Sequence, residues 1–177
     1  MIREILIWPD PLLKKSASPV TEFDSGLKAL VEDMFETMYA APGVGLAAPQ
    51  VGVLKNVIVL DTRVRQPDSQ PWVMVNPRLL SLEGKAMGKE GCLSIPGEAE
   101  DVERAARVTV AFQDVTGQPQ TMVAEGLLSV AIQHEMDHLQ GVLYVDHLSV
   151  LKREVIRKRM TRLKTDRLAT SGGGVPF

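Results

Sequence analysis

The stretch Gln133-His134-Glu135-Met136-Asp137-His138-Leu139-Gln140-Gly141 decides how this 177-residue chain is read. It contains His-Glu-x-x-His, with the two histidines at i and i+4. On an α-helix that spacing puts both imidazoles on one face, about one turn apart. A divalent metal fits there, with Glu135 beside it as proton acceptor for the water it activates. Leu127, Leu128, Val130, Ala131, Ile132, Met136 and Leu139 leave the segment almost no polar face, so a buried helix is expected. Gly141 is well placed as the C′ residue that ends it. The alternative is a pair of core histidines satisfied by hydrogen bonds. A glutamate between them inside an apolar helix is costly to bury without a task.

Working outward, the chain length suits one domain, residues 1–168, followed by a disordered tail over 169–177. Apolar content of 45% supports a packed core. Net charge of −2 and a pI near 5.9 give no global reason to expect DNA as a ligand. One cysteine excludes an internal disulfide. The first residues hold too short an apolar run for a signal peptide, and no stretch approaches membrane-spanning length. A cytoplasmic protein without membrane contact is expected.

Glu4 to Trp8 reads as a short strand. Thr21 to Tyr39 has helical periodicity through Leu27, Leu30, Val31, Met34, Phe35 and Met38, with Asp24 or Ser25 as cap. Val53–Asp61, Trp72–Pro77 and Leu79–Glu83 read as strands, and Gly84–Lys89 as a loop. Val102–Arg104, Arg107–Asp114 and Gln120–Ala124 alternate like antiparallel strands, joined through Asp114-Val115-Thr116-Gly117. The central helix spans about Gly126–Leu139. Val142–Tyr144 is a short extended piece, and a last helix spans about Ser149–Leu168. The fold class is α+β: antiparallel sheets packed around a central metal-binding helix, with a C-terminal helix.

A catalytic metal needs a third protein ligand and an open position. His147 is the remaining histidine, nine residues beyond His138. The long three-histidine pattern would require a histidine where Tyr144 stands, and a downstream glutamate could come only from Glu154. Cys92 is the better choice. It stands among Gly91, Ser94, Pro96 and Gly97, which is not core-strand composition, and a thiolate is favoured beside a metal. A thiolate with two imidazoles suits Fe(II), Zn, Ni or Co alike.

Three motifs occur in order: Gly43-Val44-Gly45-Leu46-Ala47-Ala48-Pro49-Gln50, Glu90-Gly91-Cys92-Leu93-Ser94 and His134-Glu135-Met136-Asp137-His138. The set resembles the bacterial peptide deformylases from Ile5 to the last helix. The resemblance implies an enzyme that hydrolyses the N-formyl group from the formyl-methionine of nascent polypeptides, releasing formate. It implies Cys92, His134 and His138 as ligands of Fe2+, for which Ni2+, Co2+ or Zn2+ substitutes, and Glu135 as the catalytic acid/base. Gln50 and the backbone N–H of Leu93 would hold the formyl oxygen. Gly45 and Gly91 would pair with the substrate backbone as an added strand. Val44, Leu127, Val130 and Ala131 would wall the methionine pocket. Ala99 departs from the family, in which some members carry arginine there, and Ala131 stands where others carry cysteine. Asp137 is expected to anchor the site, with Arg104 as its partner.

Between Leu151 and Leu168 eight cations oppose only Glu154 and Asp166. Leu148, Leu151, Val155, Ile156, Met160 and Leu163 are expected to dock one side of this helix on the body. The resemblance implies that its basic side meets the ribosome.

Overall fold

The run Val57-Ile58-Val59-Leu60 has no polar side chain, as a strand covered on both faces requires. In the computed structural model, which describes residues 1–170, all four are fully buried. In chain order the elements are α1 (Ser25–Ala40), β1 (Gly45–Ala47), β2 (Val57–Leu60), β3 (Trp72–Glu83), β4 (Ala86–Cys92), β5 (Ile95–Arg104), β6 (Arg107–Gln113), β7 (Pro119–Glu125), α2 (Gly126–Leu139) and α3 (Val150–Thr170). Strands β1-β2-β3-β6-β7 form an antiparallel sheet, and β4-β5 form a separate hairpin inserted between β3 and β6.

Strand alternation assigns the two faces of β2. Val57 and Val59, with Leu46 and Val75, pack on Leu27, Leu30, Met34 and Met38 of α1. Ile58 and Leu60, with Met74, Val108, Val110 and Phe112, pack on Leu128, Ala131, Ile132 and Leu139 of α2. Each fully buried side chain of this size contributes about 1.5–3 kcal/mol. That apolar contact fixes which side of α2 remains for chemistry. A third core joins Ile7, Trp8 and Leu13 to Ile95 and Val102 of the hairpin, Leu143 and Tyr144, and Ile156 and Met160 of α3. Among the described residues no helix is long and apolar enough to cross a membrane.

The α+β class and the central helix are as expected; several local readings are corrected. Glu4–Trp8 is not a strand. Leu6 N–H donates to Gln50 O at 2.8 Å and Trp8 N–H to Ser94 O at 2.9 Å, so its bonds go to two different partners and build no ladder. The two strands expected across residues 72–83 are one, bent at Asn76 (φ 51°), where the ladder register shifts. Asn76 holds the bend by accepting from Val20 N–H at 2.8 Å and donating to Val20 O at 2.9 Å. The expected loop at 84–89 is mostly strand β4, hidden from sequence because Met87, Gly88 and Lys89 are exposed and show no apolar alternation. Val142–Tyr144 leads into a 3-10 turn at Tyr144–His147. Helix α3 docks more narrowly than expected: Ile156 and Met160 are buried, while Leu151 and Val155 are exposed. Arg159 adds an ion pair to Glu98 at 3.0 Å and Lys152 one to Glu100 at 3.4 Å. Helix α3 runs two residues into the expected tail, whose residues 171–177 lie outside the described residues.

Helix α1 starts at Ser25 with Asp24 as its cap, one of the two expected, the Asp24 carboxylate accepting from Leu27 N–H at 3.0 Å. Helix α2 ends as expected. Gly141 follows the cap residue Gln140 with φ 72°, and a Cβ there would lie 2.3 Å from the Lys14 carbonyl oxygen. Both the left-handed backbone and the close approach require glycine. Gly141→Ala is therefore expected to destabilise the fold by roughly 2–3 kcal/mol, measured as a fall in urea midpoint at unchanged slope.

Candidate metal centre

Helix α2 and strand β4 meet at the centre. Its apolar face turned to the sheet, α2 presents His134 and His138 toward the hairpin and Glu135 toward β1, all three buried. The hairpin brings Cys92 to them, half-buried at the end of β4. The ligand atoms of Cys92, His134 and His138 all lie within 4.8 Å of one another. Cys92 Sγ is 3.4 Å from His138 Nε2. His147 is excluded as a ligand: its Nε2 lies 2.9 Å from Asp137 Oδ2, on the outside of the helix.

Behind the ligands runs a chain of charges. Glu90 Oε1 lies 2.8 Å from His134 Nδ1, which leaves Nε2 of that ring for a metal. Arg104 grips Glu90 with two bonds, Nε to Oε2 at 2.8 Å and Nη2 to Oε1 at 2.9 Å, and reaches Asp137 Oδ2 with Nη1 at 2.6 Å. The expected Arg104–Asp137 contact is present. Glu90 opens the motif that holds Cys92, and sequence alone assigns it no role. Glu90 and Cys92 both reach the centre from the end of β4, a placement that local sequence pattern does not show because β4 itself reads as loop.

Electrostatics follow from burial and these contacts. Burial alone would push Glu90 up, but Arg104 and His134 outweigh it and hold the carboxyl at about 2. Burial opposes charge on His134, yet Cys92 and Glu90 push its pKa well above the usual value, so its surroundings favour positive charge. Burial, then the charge of His134, holds His138 well below the usual value, in the neutral form that ligates. A divalent cation between one thiolate and two imidazoles fits this donor set and supplies the charge that it favours.

Glu135 lies beside the ligands, its Oε1 3.8 Å from His134 Nε2. Burial pushes its carboxyl up to about 7, and its buried Oε2 has no hydrogen-bond partner among the described residues. Gly45 of β1 packs against it so closely that a Cβ would lie 2.9 Å from Glu135 Cγ. Gln50 is buried, its Oε1 accepting from Ala47 N–H at 3.0 Å. That bond turns Nε2 to the centre, 3.1 Å from Ser94 Oγ and 3.6 Å from Cys92 Sγ. Leu93 and Ser94 make the two-residue turn between β4 and β5.

A cleft of about 1150 Å³ opens over the centre. Val44, Gly45, Gly91, Leu127, Val130 and Ala131, all expected at the substrate, line it together with Cys92, Leu93, His134 and Glu135. Gln50 and His138 lie behind that surface.

Residues 2–154 match the family model for polypeptide deformylase. The chain is 49% identical over 172 residues to the peptide deformylase of Alkalilimnicola ehrlichii, covering 97% of this chain and 96% of that protein. It is 51% identical over 162 residues to that of Phenylobacterium zucineum, covering 91% and 96%. The crystal structure of a peptide deformylase from Legionella pneumophila superimposes with a TM-score of 0.88 at 45% identity, covering 95% of this chain and 98% of that one.

Glu90 orients a ligand from behind, and losses at such positions typically weaken metal binding about 10–100-fold. Glu90→Gln is expected to lose metal to a competing chelator at a correspondingly lower chelator concentration, with the far-UV circular dichroism unchanged.

Proposed function

The chain belongs to the polypeptide deformylase family, whose activity is the deformylation of nascent peptides, and from that premise we propose how its residues divide the reaction. Cys92 Sγ and the Nε2 atoms of His134 and His138 hold the metal, which we assign as Fe(II), with Ni(II), Co(II) or Zn(II) able to substitute. Bound there, such an ion would supply a lowered water pKa, toward ~7, and a polarised formyl carbonyl.

Glu135 takes the proton from the attacking water and returns it to the leaving amine. Burial raises the proton affinity of this carboxyl, which suits it to take up a proton and release it again. Gln50 Nε2, held by Ala47, and the Leu93 N–H donate to the formyl oxygen as it gains charge; one such donor is worth roughly 10²–10³ in rate. Val44, Leu127, Val130 and Ala131 enclose the methionine side chain. Gly45 and Gly91 offer their backbones to the peptide as neighbouring strands. The observation that carries the reading is the convergence of three ligand atoms within 4.8 Å beside Glu135, with the Gln50 amide turned toward the same point. Residues 1–168 act as one catalytic domain in the cytoplasm.

A panel of formyl-Met, acetyl-Met and unblocked peptides tests the reaction class; turnover confined to the formyl substrate is expected. Glu135→Ala is expected to keep its metal and lose ~10²–10⁴-fold in kcat. Near-native turnover with full metal content would remove Glu135 from the proton-transfer role.

We further propose that the basic side of α3 meets the ribosome. Arg157, Lys158 and Arg162 are exposed and have no ion-pair partner among the described residues. Truncating α3 would strip Ile156 and Met160 from the third core, so charge reversal is the cleaner test. Arg157→Glu/Lys158→Glu/Arg162→Glu is expected to lose low-salt co-sedimentation with ribosomes while still turning over a short formylated peptide. Undiminished co-sedimentation would leave α3 a structural element.

A further inference from the structure

The wall that Val44 gives to the methionine pocket stands on a segment with little hold of its own. Ala41-Pro42-Gly43-Val44 joins α1 to β1 and contains no polar side chain. Its second half is tied down by two backbone bonds: Gly43 N–H donates to Met38 O and Asp61 N–H donates to Val44 O, both at 2.8 Å. The segment also sits tight against the centre. A Cβ at Gly43 would lie 2.8 Å from Leu93 Cδ1, and Gly45, the next residue after Val44, abuts Glu135. In close-packed surroundings of this kind a small shift is passed on to the neighbours. Whatever fixes residues 41–44 therefore fixes the width of the pocket.

A cluster behind the cleft wall does so. Asp61 follows β2 directly and is buried. Tyr39 OH, from the last turn of α1, donates to Asp61 Oδ2 at 2.6 Å. Arg63 donates Nη2 to Oδ2 at 2.6 Å, Nε to Oδ1 at 3.0 Å and its backbone N–H to Oδ1 at 3.1 Å. The Arg63 guanidinium holds the Asp61 carboxyl well below the usual carboxylate range, so the carboxylate is charged at neutral pH. Tyr39 and Asp61 flank the 41–44 segment on its two sides, and their bond closes the loop at its base. Asp61 also supplies the N–H that holds Val44. One residue thus ties the end of a helix, the end of a strand and the pocket wall together.

We propose that Tyr39, Asp61 and Arg63 are positioning residues: their clamp fixes Val44 and so sets the pocket width that selects the unbranched methionine side chain over a wider one. The proposal rests on the deformylase reading and deepens it by naming what sets its selectivity.

The test is kcat/KM for formyl-Met-Ala-Ser and formyl-Phe-Ala-Ser in wild type, Tyr39→Phe and Asp61→Asn. Wild type is expected to favour methionine about ten-fold or more, the scale on which an apolar pocket discriminates by size. Tyr39→Phe removes one hydroxyl from an exposed ring, where water replaces part of the lost bond. Its methionine-to-phenylalanine ratio is expected to fall about two- to five-fold, within the worth of one net hydrogen bond, mostly through a higher KM for the methionine peptide. Asp61→Asn keeps the side-chain size and the N–H to Val44, loses the ion pair with Arg63, and is expected to lower the ratio further. Each ratio is taken within one protein, so partial loss of folded enzyme cancels. A wild-type ratio near one, or a ratio unchanged in both variants, overturns the clamp. Failure of wild type to turn over any formylated peptide would instead remove the deformylase assignment and the clamp with it.

Discussion

The buried pair between Glu90 and Arg104 is the interaction on which the centre depends. Both side chains are 6% exposed. Removing two such charges from water costs several kcal/mol each, and their attraction offsets that only when the remaining polar atoms are also satisfied. Here they are: Glu90 reaches His134, and Arg104 reaches Asp137. Both of these partners sit on α2, whereas Glu90 and Arg104 sit on the hairpin. The pair therefore ties the element carrying Cys92 to the element carrying both histidines. An apolar replacement of equal volume could preserve the packing and would lose the orientation of the His134 ring.

The rest of the fold serves that junction by holding α2 still. The sheet packs α2 on one face and α1 on the other, and β1 at its edge delivers Gly45 against Glu135. A side chain at position 45 would displace the Glu135 carboxylate by sheer contact. The same segment continues into the turn that buries Gln50 and aims its amide. Two functional groups thus depend on one short edge strand whose own burial is complete.

What the sequence made legible follows local periodicity. Helix α2, its ligand pair and its glycine stop are written in spacing that no tertiary contact overrides. Cys92 could be singled out because its neighbours are poor strand formers, and Asp137 because a charge beside a metal helix needs a partner; nothing local points to Arg104 as that partner. Strand β4 was not legible: its exposed residues lack alternation, and its stability comes from pairing with β5. Glu90 escaped for a related reason, since its role exists only when Arg104 and His134 are brought to it from distant positions. The narrow docking of α3 also lies outside local pattern. Leu151 and Val155 share the helical stripe of Ile156, and only the outline of the third core decides which of them is covered.

The hairpin's place in the chain has a consequence for homeostasis. Cys92 is more than forty residues from the histidines, so the ligand set is assembled by the tertiary fold. A metal that binds only the assembled form adds to stability by mass action, about 2.7 kcal/mol when free metal is 100 times its dissociation constant. The amount of folded protein in a cell is thereby tied to the free concentration of a metal. Scarcity would thin the population through turnover of unfolded chains before it slowed the chemistry of those that remained.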